Sequence, residues 1–171
     1  MADSSVVGIM SDTHGFLHPA LFDAFSGVDL ILHAGDVGRA AIIDELEAIA
    51  PVKAVYGNVD GWDVRSEHPL ELTEIVGGVE IWMTHIGGRP GRWAKGIGAE
   101  LASRQPDIFV CGHSHILKVE RTDNPVKLLH INPGAAGRQG LHQVKTCLRL
   151  VIEGGKPAKV DVIHLDEPLS S

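Results

Sequence analysis

Side chains that can bind a metal ion are concentrated in five short segments of the chain. The segments are SDTHG, AGD, GN, MTH and GHSH. The potential ligands in them are Asp12, His14, Asp36, Asn58, His85, His113 and His115. Imidazole nitrogen mixed with carboxylate and amide oxygen suits transition metals, whereas Mg and Ca prefer shells of oxygen alone. The set therefore predicts transition-metal binding, with Mn as the first expectation and Ni, Co, Fe or Zn as alternatives.

The number and type of ligands indicate two metal ions rather than one. Two divalent cations about 3.5–4 Å apart repel each other, so an anionic oxygen must lie between them. Asp36 is the predicted bridge. Asp12 and His14 lie two residues apart, as do His113 and His115, and in extended backbone this spacing sends both side chains to the same side. Each pair is therefore expected to approach a metal from one direction.

Each ligand segment follows a hydrophobic run, which predicts that it lies where a buried strand ends. In the first third of the chain, strands are predicted at Val6–Met10, Leu30–Ala34 and Val52–Tyr56. Helices are predicted between them, at Pro19–Phe25 and Ala40–Ile49. This alternation is typical of a parallel sheet.

The chain after Asp60 is predicted to be richer in strands. A helix is predicted at Ala94–Ser103, and Gly77-Gly78 and Gly154-Gly155 are predicted turns. The predicted strands are Leu70–Val76, Val79–Thr84, Ile108–Cys111, Leu117–Arg121, Lys127–Ile131, Thr146–Ile152 and Val160–Leu165. The last four are predicted to be antiparallel.

The ordered motifs D-x-H, G-D, G-N-x-D, H and G-H-x-H, followed by N-P-G, resemble those of the calcineurin-like metallophosphoesterases. The short chain resembles their small single-domain phosphodiesterase branch, and the match extends from Ser11 to about Gly140. The resemblance implies an α/β (α+β) fold, a four-layer αββα sandwich of two mixed β-sheets flanked by helices. A single domain is expected over residues 1–171.

The resemblance also assigns roles to the ligands. It implies that Asp12, His14 and His115 hold the first metal. Asn58, His85 and His113 would hold the second, with Asp36 between the two. Asp36, Asn58 and His113 are the residues expected to take part in catalysis.

The implied activity is hydrolysis of small phosphodiesters. Between two cations the pKa of water can fall from near 15.7 to about 7, so a metal-bridging hydroxide is the predicted nucleophile. The ions would also bind the non-bridging phosphate oxygens and stabilise the charge that develops as the alcohol leaves in line. No covalent enzyme intermediate is needed.

Two departures from the family pattern concern the substrate. Many relatives have a histidine after the motif asparagine that helps to protonate the leaving group, but this chain has Val59, as the small-diesterase branch commonly does. A preference for activated, aryl-type diesters is therefore expected. The loop after the MTH segment also differs, and it offers arginines for a phosphate and a tryptophan for an aryl group or nucleobase. The candidate substrate contacts are Arg39, Arg89, Arg92, Trp93 and Arg138; solvated arginines and a packed tryptophan are the alternative.

The remaining polar residues of the motif regions are interpreted as structural. His33 and His130 are expected to be buried and hydrogen-bonded, and Asp60 is expected to hold the Asn58 loop. Surface positions are predicted for His68, His142 and His164.

Composition limits the possible partners and location. The chain has 171 residues and a net charge of −7, without a Lys/Arg run for a nucleic-acid duplex. Cys111 and Cys147 are interpreted as buried thiols in a reducing cytosol. The acidic start and the lack of an apolar run of about 20 residues argue against secretion and membrane insertion, so a cytoplasmic location is predicted. The resemblance also suggests a homo-oligomer, a dimer or tetramer.

Other functions remain open at this point. One alternative is a non-catalytic metal-binding scaffold resembling the small arm subunit of the retromer coat, which keeps most of the metal-site residues. A nuclease fits poorly, because the DNA-repair members carry the missing histidine and additional DNA-binding domains. A dinucleoside-polyphosphate hydrolase is a minor option.

Overall fold

A computed structural model describes residues 3–141 and 144–169 of the chain. The helices are α1 Leu21–Ala24, α2 Ala41–Glu47, α3 Trp62–Arg65 and α4 Ile97–Arg104. The first strands are β1 Ser4–Met10, β2 Leu30–His33, β3 Val52–Ala54, β4 Glu71–Val76, β5 Val79–Thr84, β6 Gly88–Arg89 and β7 Arg92–Trp93. The later strands are β8 Ile108–Val110, β9 Lys118–Thr122, β10 Leu128–Asn132, β11 Thr146–Glu153 and β12 Lys156–His164.

The strands form two mixed sheets of five strands each and one small hairpin. The first sheet has the order β12-β11-β1-β2-β3, in which β1, β2 and β3 are parallel and β11 runs antiparallel to its two neighbours. The second has the order β4-β5-β8-β10-β9, with a parallel centre formed by β5, β8 and β10. Strands β6 and β7 pair only with each other.

The hydrophobic core lies mainly between the two sheets. Val7 and Ile9 of β1 pack there with Ile81 and Met83 of β5 and with Val110 of β8. All five are fully buried, as expected for strands in parallel sheets covered on both faces. The inter-sheet core therefore fixes how the two sheets are aligned.

Helices cover the outer faces of both sheets. Phe25 of the turn after α1 and Leu46 of α2 pack on the outer face of the first sheet with Ile31. Leu101 of α4 packs on the outer face of the second with Phe109. The four layers are thus helices, sheet, sheet and helix, and the predicted αββα sandwich is confirmed.

Most predicted elements exist, but several boundaries differ. Helix α4 begins at Ile97 rather than at Ala94, because Gly96 before it has a left-handed φ of 84°. Strand β12 begins at Lys156 rather than at Val160, because Gly154-Gly155 forms a tight turn and Lys156 pairs at once with Glu153. Helix α3 and the β6–β7 hairpin were not predicted, because both are too short to show a periodic pattern.

The prediction of antiparallel pairing for the last four strands was partly wrong. Strand β10 pairs antiparallel with β9 but parallel with β8. It enters the middle of the second sheet, where its residues Leu128–Asn132 are buried. A strand that is buried on both faces need not alternate between apolar and polar residues, so its pairing direction cannot be deduced from alternation.

The described residues also bear on the cysteines and on membrane insertion. Cys111 and Cys147 are buried and free, as predicted, and burial raises the pKa of each thiol to about 12. Over residues 3–141 and 144–169, the structure contains no helix with the length and apolarity needed to span a bilayer.

Candidate metal centre

The ligand segments meet at one end of the sandwich, where strands of both sheets reach their carboxyl ends. Hydrogen bonds tie the loops of the two sheets together across this edge. The His113 N–H donates to Asp12 Oδ2 at 3.0 Å, and the His85 Nδ1–H donates to the Ala34 carbonyl at 2.7 Å. The loops after β1, β2, β5 and β8 therefore form one connected structure.

Two groups of side chains are arranged as metal-ligand sets. The first contains Asp12, His14 and His115, whose ligand atoms lie within 4.8 Å of one another. His115 Nε2 lies 3.2 Å from Asp12 Oδ1 and 3.3 Å from His14 Nε2. Ligand atoms about 3–4 Å apart fit around an ion with bonds near 2 Å.

The second group contains Asp36, His85 and His113. His85 Nε2 lies 3.1 Å from Asp36 Oδ2, and the rings of His85 and His113 have centroids 5.3 Å apart. Each of the two groups takes an aspartate from the first sheet and at least one histidine from the second.

Asp36 lies between the two groups. Its Oδ2 is 3.1 Å from His85 Nε2 in the second group and 3.8 Å from His14 Nε2 in the first. Its other oxygen, Oδ1, accepts a hydrogen bond from the Val59 N–H at 3.1 Å. One carboxylate oxygen is thus held by the backbone, while the other faces both ligand groups.

Two buried atoms at the centre have no hydrogen-bond partner among the described residues, and their surroundings leave a lone pair on each for a metal ion. The Ser11 hydroxyl, at 2.7 Å, and the His113 N–H both bind Asp12 Oδ2, and the buried Oδ1 is left without a hydrogen bond. The bond from His85 Nδ1–H to Ala34 fixes the tautomer, so the equally unsatisfied Nε2 presents its lone pair. Unsatisfied buried polar atoms are costly, and a cation would satisfy both.

The pKa values at the centre indicate a strongly negative potential. Burial alone would raise the pKa of Asp12, but the adjacent imidazoles of His115, His14 and His85 hold it well below its usual range. The pKa of Asp36 is also lowered, because the contact with His85 outweighs burial. The carboxylates raise the pKa of His14 and of His85. Such a potential favours the binding of cations.

The backbone of the ligand residues corrects one step of the sequence analysis. Asp12, His14, Asp36, His113 and His115 all have left-handed φ values, between 46° and 69°. They are therefore not extended, and tight turns rather than strand alternation bring each pair to one side. This conformation costs a non-glycine residue about 1–3 kcal/mol and is typical of functional sites.

Glycines make room for the ligand side chains. A Cβ on Gly35 would lie 2.7 Å from His85 Nδ1, and a Cβ on Gly112 would lie 2.7 Å from Asp12 Oδ2 and overlap with the Ser11 hydroxyl. A Cβ on Gly57 would overlap with Asp36 Oδ1. Glycine at these positions is required by the close approach of a ligand.

Gly38 is expected to be the most sensitive of the glycines next to the site. It has a φ of 93°, and a Cβ there would overlap with the backbone of His14 and Gly15. Gly38→Ala should lower the free energy of unfolding by about 3 kcal/mol or more, because a backbone cannot move aside cheaply. Chemical denaturation measures the loss.

Gly27→Ala is the matched control for this prediction. Gly27 also has a positive φ, 76°, but a Cβ there would meet nothing within 4 Å. Only the conformational penalty of about 1–2 kcal/mol applies. Equal losses in the two variants would show that the contact with the His14 loop is unimportant.

Asp60 has the structural role predicted for it. Its Oδ2 accepts hydrogen bonds from the N–H groups of Val37 and Gly57, and its Oδ1 accepts one from Gly38. Asp60 thereby joins the loop after β2 to the loop after β3. The sequence analysis missed Arg65 of α3, which donates to the carbonyls of Gly57 and Asn58 and lies over the Tyr56 ring.

The non-ligand histidines largely follow the prediction. His33 is buried and neutral, since burial lowers its pKa to about 4; its Nε2–H donates to Thr13 Oγ1 at 2.9 Å, and its Nδ1 accepts from the Gly35 N–H. His130 is also buried, with a pKa lowered to about 4. His164 is exposed, but His68 is half-buried, with its Nε2 enclosed. His142 lies outside the described residues.

The N-P-G turn supports the GHSH loop. Asn132 donates through its Nδ2 to the Gly112 carbonyl at 2.9 Å and to Ser114 Oγ at 3.0 Å. Its Oδ1 accepts a hydrogen bond from the Gly134 N–H. The motif asparagine therefore positions the loop that carries His113 and His115.

Three of the five candidate substrate contacts lie beside the metal centre. Arg89, Arg92 and Trp93 of the β6–β7 hairpin line a cavity that also contacts His113. Trp93 packs on Phe109 and His130, so the packed alternative holds for part of its surface.

The other two candidates have intramolecular partners. Arg39 donates to the Gly15 carbonyl and pairs with Glu45 at 3.2 Å. Arg138 lies 3.9 Å from the centroid of the Phe16 ring. Their contact with a substrate stays a prediction, as does metal binding by Asn58, an exposed residue in the turn after β3.

The fold and the two ligand groups agree with the family comparison. Residues 6–155 match the calcineurin-like phosphoesterase superfamily domain, and the chain belongs to this superfamily. It is accordingly a phosphoesterase by family, and the family depends on a dinuclear metal centre, for which the chain has two adjoining ligand groups.

Individual relatives support the same conclusion. A probable metallophosphoesterase of Methanocaldococcus jannaschii is 32% identical over 166 residues, covering 94% of this chain and 82% of the relative. A second probable metallophosphoesterase, of Methanothermobacter thermautotrophicus, is 33% identical over 138 residues, covering 76% of each chain.

Solved structures show the same fold at lower identity. A predicted phosphoesterase of Streptococcus pneumoniae has a TM-score of 0.70 and 21% identity, covering 96% of this chain and 91% of its own. Vps29 of Entamoeba histolytica in complex with Zn²⁺ has a TM-score of 0.69 and 18% identity, covering 94% and 99%. At these identities the likeness concerns the fold alone.

Proposed function

We propose that the protein is a dinuclear-metal-dependent phosphodiesterase that hydrolyses small phosphodiesters. The observation that carries the proposal is the position of Asp36 Oδ2 between two ligand groups, with buried Asp12 Oδ1 and His85 Nε2 left unsatisfied beside it. A centre of this kind suits phosphate chemistry because it concentrates positive charge where phosphate oxygens would bind. Specificity for diesters is supported by the resemblance to the small-diesterase branch and by Val59.

The proposed ligand sets follow the two groups. Asp12, His14 and His115 would hold one ion, and His85 and His113 would hold the other together with Asn58. Asp36 would contribute to both. Asn58 lies beside His85 on the wall of one cavity, where an amide oxygen would complete the second set.

The chain's own residues prepare this centre for the reaction. The bound cations would supply a nucleophile from water at neutral pH and would offset the charge on phosphate. The Val59 N–H holds Asp36 Oδ1, and Ser11 with the His113 N–H holds Asp12 Oδ2, so the remaining carboxylate oxygens are fixed in position before substrate binds. Such preorganisation avoids reorganisation during the reaction.

The native metal, the location and the assembly are proposed from ligand chemistry, composition and the family resemblance. Mn is proposed as the native ion, since mixed nitrogen and oxygen ligands suit it, with Ni, Co, Fe or Zn as alternatives. The two buried free thiols support a cytoplasmic location. A small-molecule substrate without a nucleic-acid duplex or membrane fits the net charge of −7, and the family resemblance suggests a dimer or tetramer.

A non-catalytic binding scaffold is the second candidate. Its support is the segment from the turn after β3 to the start of β4, which carries three exposed apolar side chains, Val59, Trp62 and Leu70, at 59%, 82% and 57% exposure. Apolar side chains that form a contiguous exposed patch often contact other proteins. The fold of Vps29 structures is shared as well.

Metal removal and replacement should separate the two candidates. Protein stripped with a chelator should not hydrolyse bis(p-nitrophenyl) phosphate, and added Mn should restore turnover by about 100-fold or more, because two cations contribute several kcal/mol to the transition state. The assay follows nitrophenolate release while metal content is measured in the same samples. Two bound ions without turnover, for each of Mn, Ni, Co and Zn, would favour the scaffold.

A further inference from the structure

Two cavities open on either side of the metal centre. The first, called here the hairpin cavity, has a volume of about 400 Å³ and lies between the β6–β7 hairpin and the GHSH loop, with His113 at its edge. The second, called the Asn58 cavity, has a volume of about 470 Å³ and lies between the turn after β3 and the start of β4, with His85 at its edge. Each cavity thus adjoins a different histidine of the second ligand group.

One side chain borders both cavities. Ile86 follows His85 directly in the chain, is 43% exposed and lines both of them. A second exposed isoleucine, Ile116, follows His115 and lines the hairpin cavity. The sequence analysis missed both, although their positions directly after motif histidines were a usable signal.

We propose that each cavity receives one of the two ester groups of a phosphodiester, with Ile86 between them, and that the hairpin cavity takes a planar aromatic group. This inference rests on the proposed function and adds the substrate class to it. A phosphodiester has two non-bridging oxygens for the cations, and its two ester groups then point away in different directions. A monoester would need one cavity, whereas a diester with two bulky groups needs both.

The hairpin cavity has the lining that an aromatic ring requires. Ile86, Trp93 and Ile116 provide apolar surface, and the burial of an aromatic ring against such surface is favourable. The contacts of Trp93 with Phe109 and His130 hold its ring in place. His130, which also lines the cavity, is neutral at physiological pH because burial lowers its pKa to about 4.

Arginines add to the preference for a flat, electron-rich group. Arg89 and Arg92 are exposed at the wall of the hairpin cavity. Among the ion pairs of the described residues, neither arginine pairs with a carboxylate. A guanidinium group can stack on an aromatic face or bind an anionic substituent on the ring.

The Asn58 cavity has a more polar lining. Glu71 and Thr84 contribute polar groups to it, and Leu70 contributes apolar surface. Arg65 and Tyr56 also line it, but Arg65 stacks on the Tyr56 ring and donates to backbone carbonyls. The Asn58 cavity is therefore less selective than the hairpin cavity for the chemical type of the ester group, which need not be aromatic.

Binding of three non-nitrated diesters to the Mn-loaded protein tests the inference without relying on turnover. Calorimetry should show that diphenyl phosphate binds more tightly than dimethyl phosphate by about tenfold or more, with methyl phenyl phosphate between them, because each ring buries apolar surface. Phenyl phosphate, a monoester, carries more negative charge than the diesters, so its affinity is compared with that of methyl phosphate. The gain in affinity from its ring should be no larger than the gain of methyl phenyl phosphate over dimethyl phosphate.

Two variants locate the aromatic group. Ala94 is half-buried and lines the hairpin cavity, so Ala94→Leu should narrow that cavity. It should weaken the binding of diphenyl phosphate by about tenfold and leave the binding of dimethyl phosphate unchanged. Ile116→Gln removes apolar surface at a position that is 67% exposed, so it should leave the fold intact. It should weaken the binding of diphenyl phosphate by about threefold. Ala102→Leu, at an exposed position of α4, is the matched control.

The outcomes distinguish this inference from the proposed function. Equal binding of diphenyl and dimethyl phosphate, or no effect of either cavity variant, would overturn the inference even if nitrophenyl diesters are hydrolysed. If the protein binds diphenyl phosphate selectively but hydrolyses no diester, the proposed role of the cavities is supported and the proposed phosphodiesterase activity is refuted.

Discussion

Asp36→Asn is expected to abolish metal-dependent hydrolysis of bis(p-nitrophenyl) phosphate, with a fall in kcat of about 100-fold or more. Asparagine has the same shape as aspartate, so the hydrogen bond from the Val59 N–H to the Oδ1 position can persist. The negative charge between the two ligand groups is lost, however. Two cations would then repel each other without an anion to hold them together.

Metal content should fall together with activity. Even groups that only orient a metal ligand change metal affinity by about 10–100-fold, and Asp36 faces both ligand groups directly. Elemental analysis after gel filtration should therefore find about one ion or none per chain in the variant. Thermal unfolding in the presence of chelator checks that the fold is intact.

Asp44→Asn is the matched control for charge. Asp44 lies exposed on α2, and its replacement makes the same change in net charge. Its kcat and metal content should equal those of the wild type. An Asp36→Asn protein that keeps two ions and full activity would refute the role of Asp36 as the shared ligand.

The second large effect concerns the leaving group. Val59 cannot donate a proton, and general-acid help is typically worth about 10²–10⁴ in rate when the leaving group is poor. With a series of aryl methyl phosphates, kcat/KM should fall steeply as the pKa of the departing phenol rises. The slope of that plot is the measured quantity, and a flat plot for the wild type would contradict the prediction.

Val59→His should make the slope shallower. The Val59 side chain is 59% exposed, and its backbone N–H contacts Asp36. We therefore expect that an imidazole at this position can reach the leaving group without disturbing the core. The gain should appear only for the poorer leaving groups. Val59→Ala is the control, and its slope should match that of the wild type.

Much of the fold could be predicted because the same signal, an apolar run that ends in a polar motif, recurs along the chain. The runs before Asp12, Asp36 and His85 are too apolar for any position except a buried strand, and they end in residues of the two candidate ligand groups. The layered architecture follows from their alternation with helices and from the family resemblance. The direction of β10 did not follow, because both of its faces are buried and no exposed face marks it as an edge strand.

The residues of the centre were predictable, but their geometry was not. The motifs predicted seven ligands, and six of them lie together in the two groups. Left-handed turns place them, as at His14 and His115. Those turns depend on hydrogen bonds across the sheets, such as that from the His113 N–H to Asp12, which joins residues 101 positions apart. The hairpin cavity depends in the same way on the β6–β7 hairpin, which packs through Trp93 on Phe109 and His130.

The composition of the ligand groups has a mechanical consequence. Asp12 and Asp36 belong to loops of the first sheet, whereas His85, His113 and His115 belong to loops of the second. An ion bound in either group would therefore cross-link the two sheets. Sliding of one sheet over the other would separate the ligands of each ion, so metal binding and the alignment of the two sheets are expected to be gained and lost together.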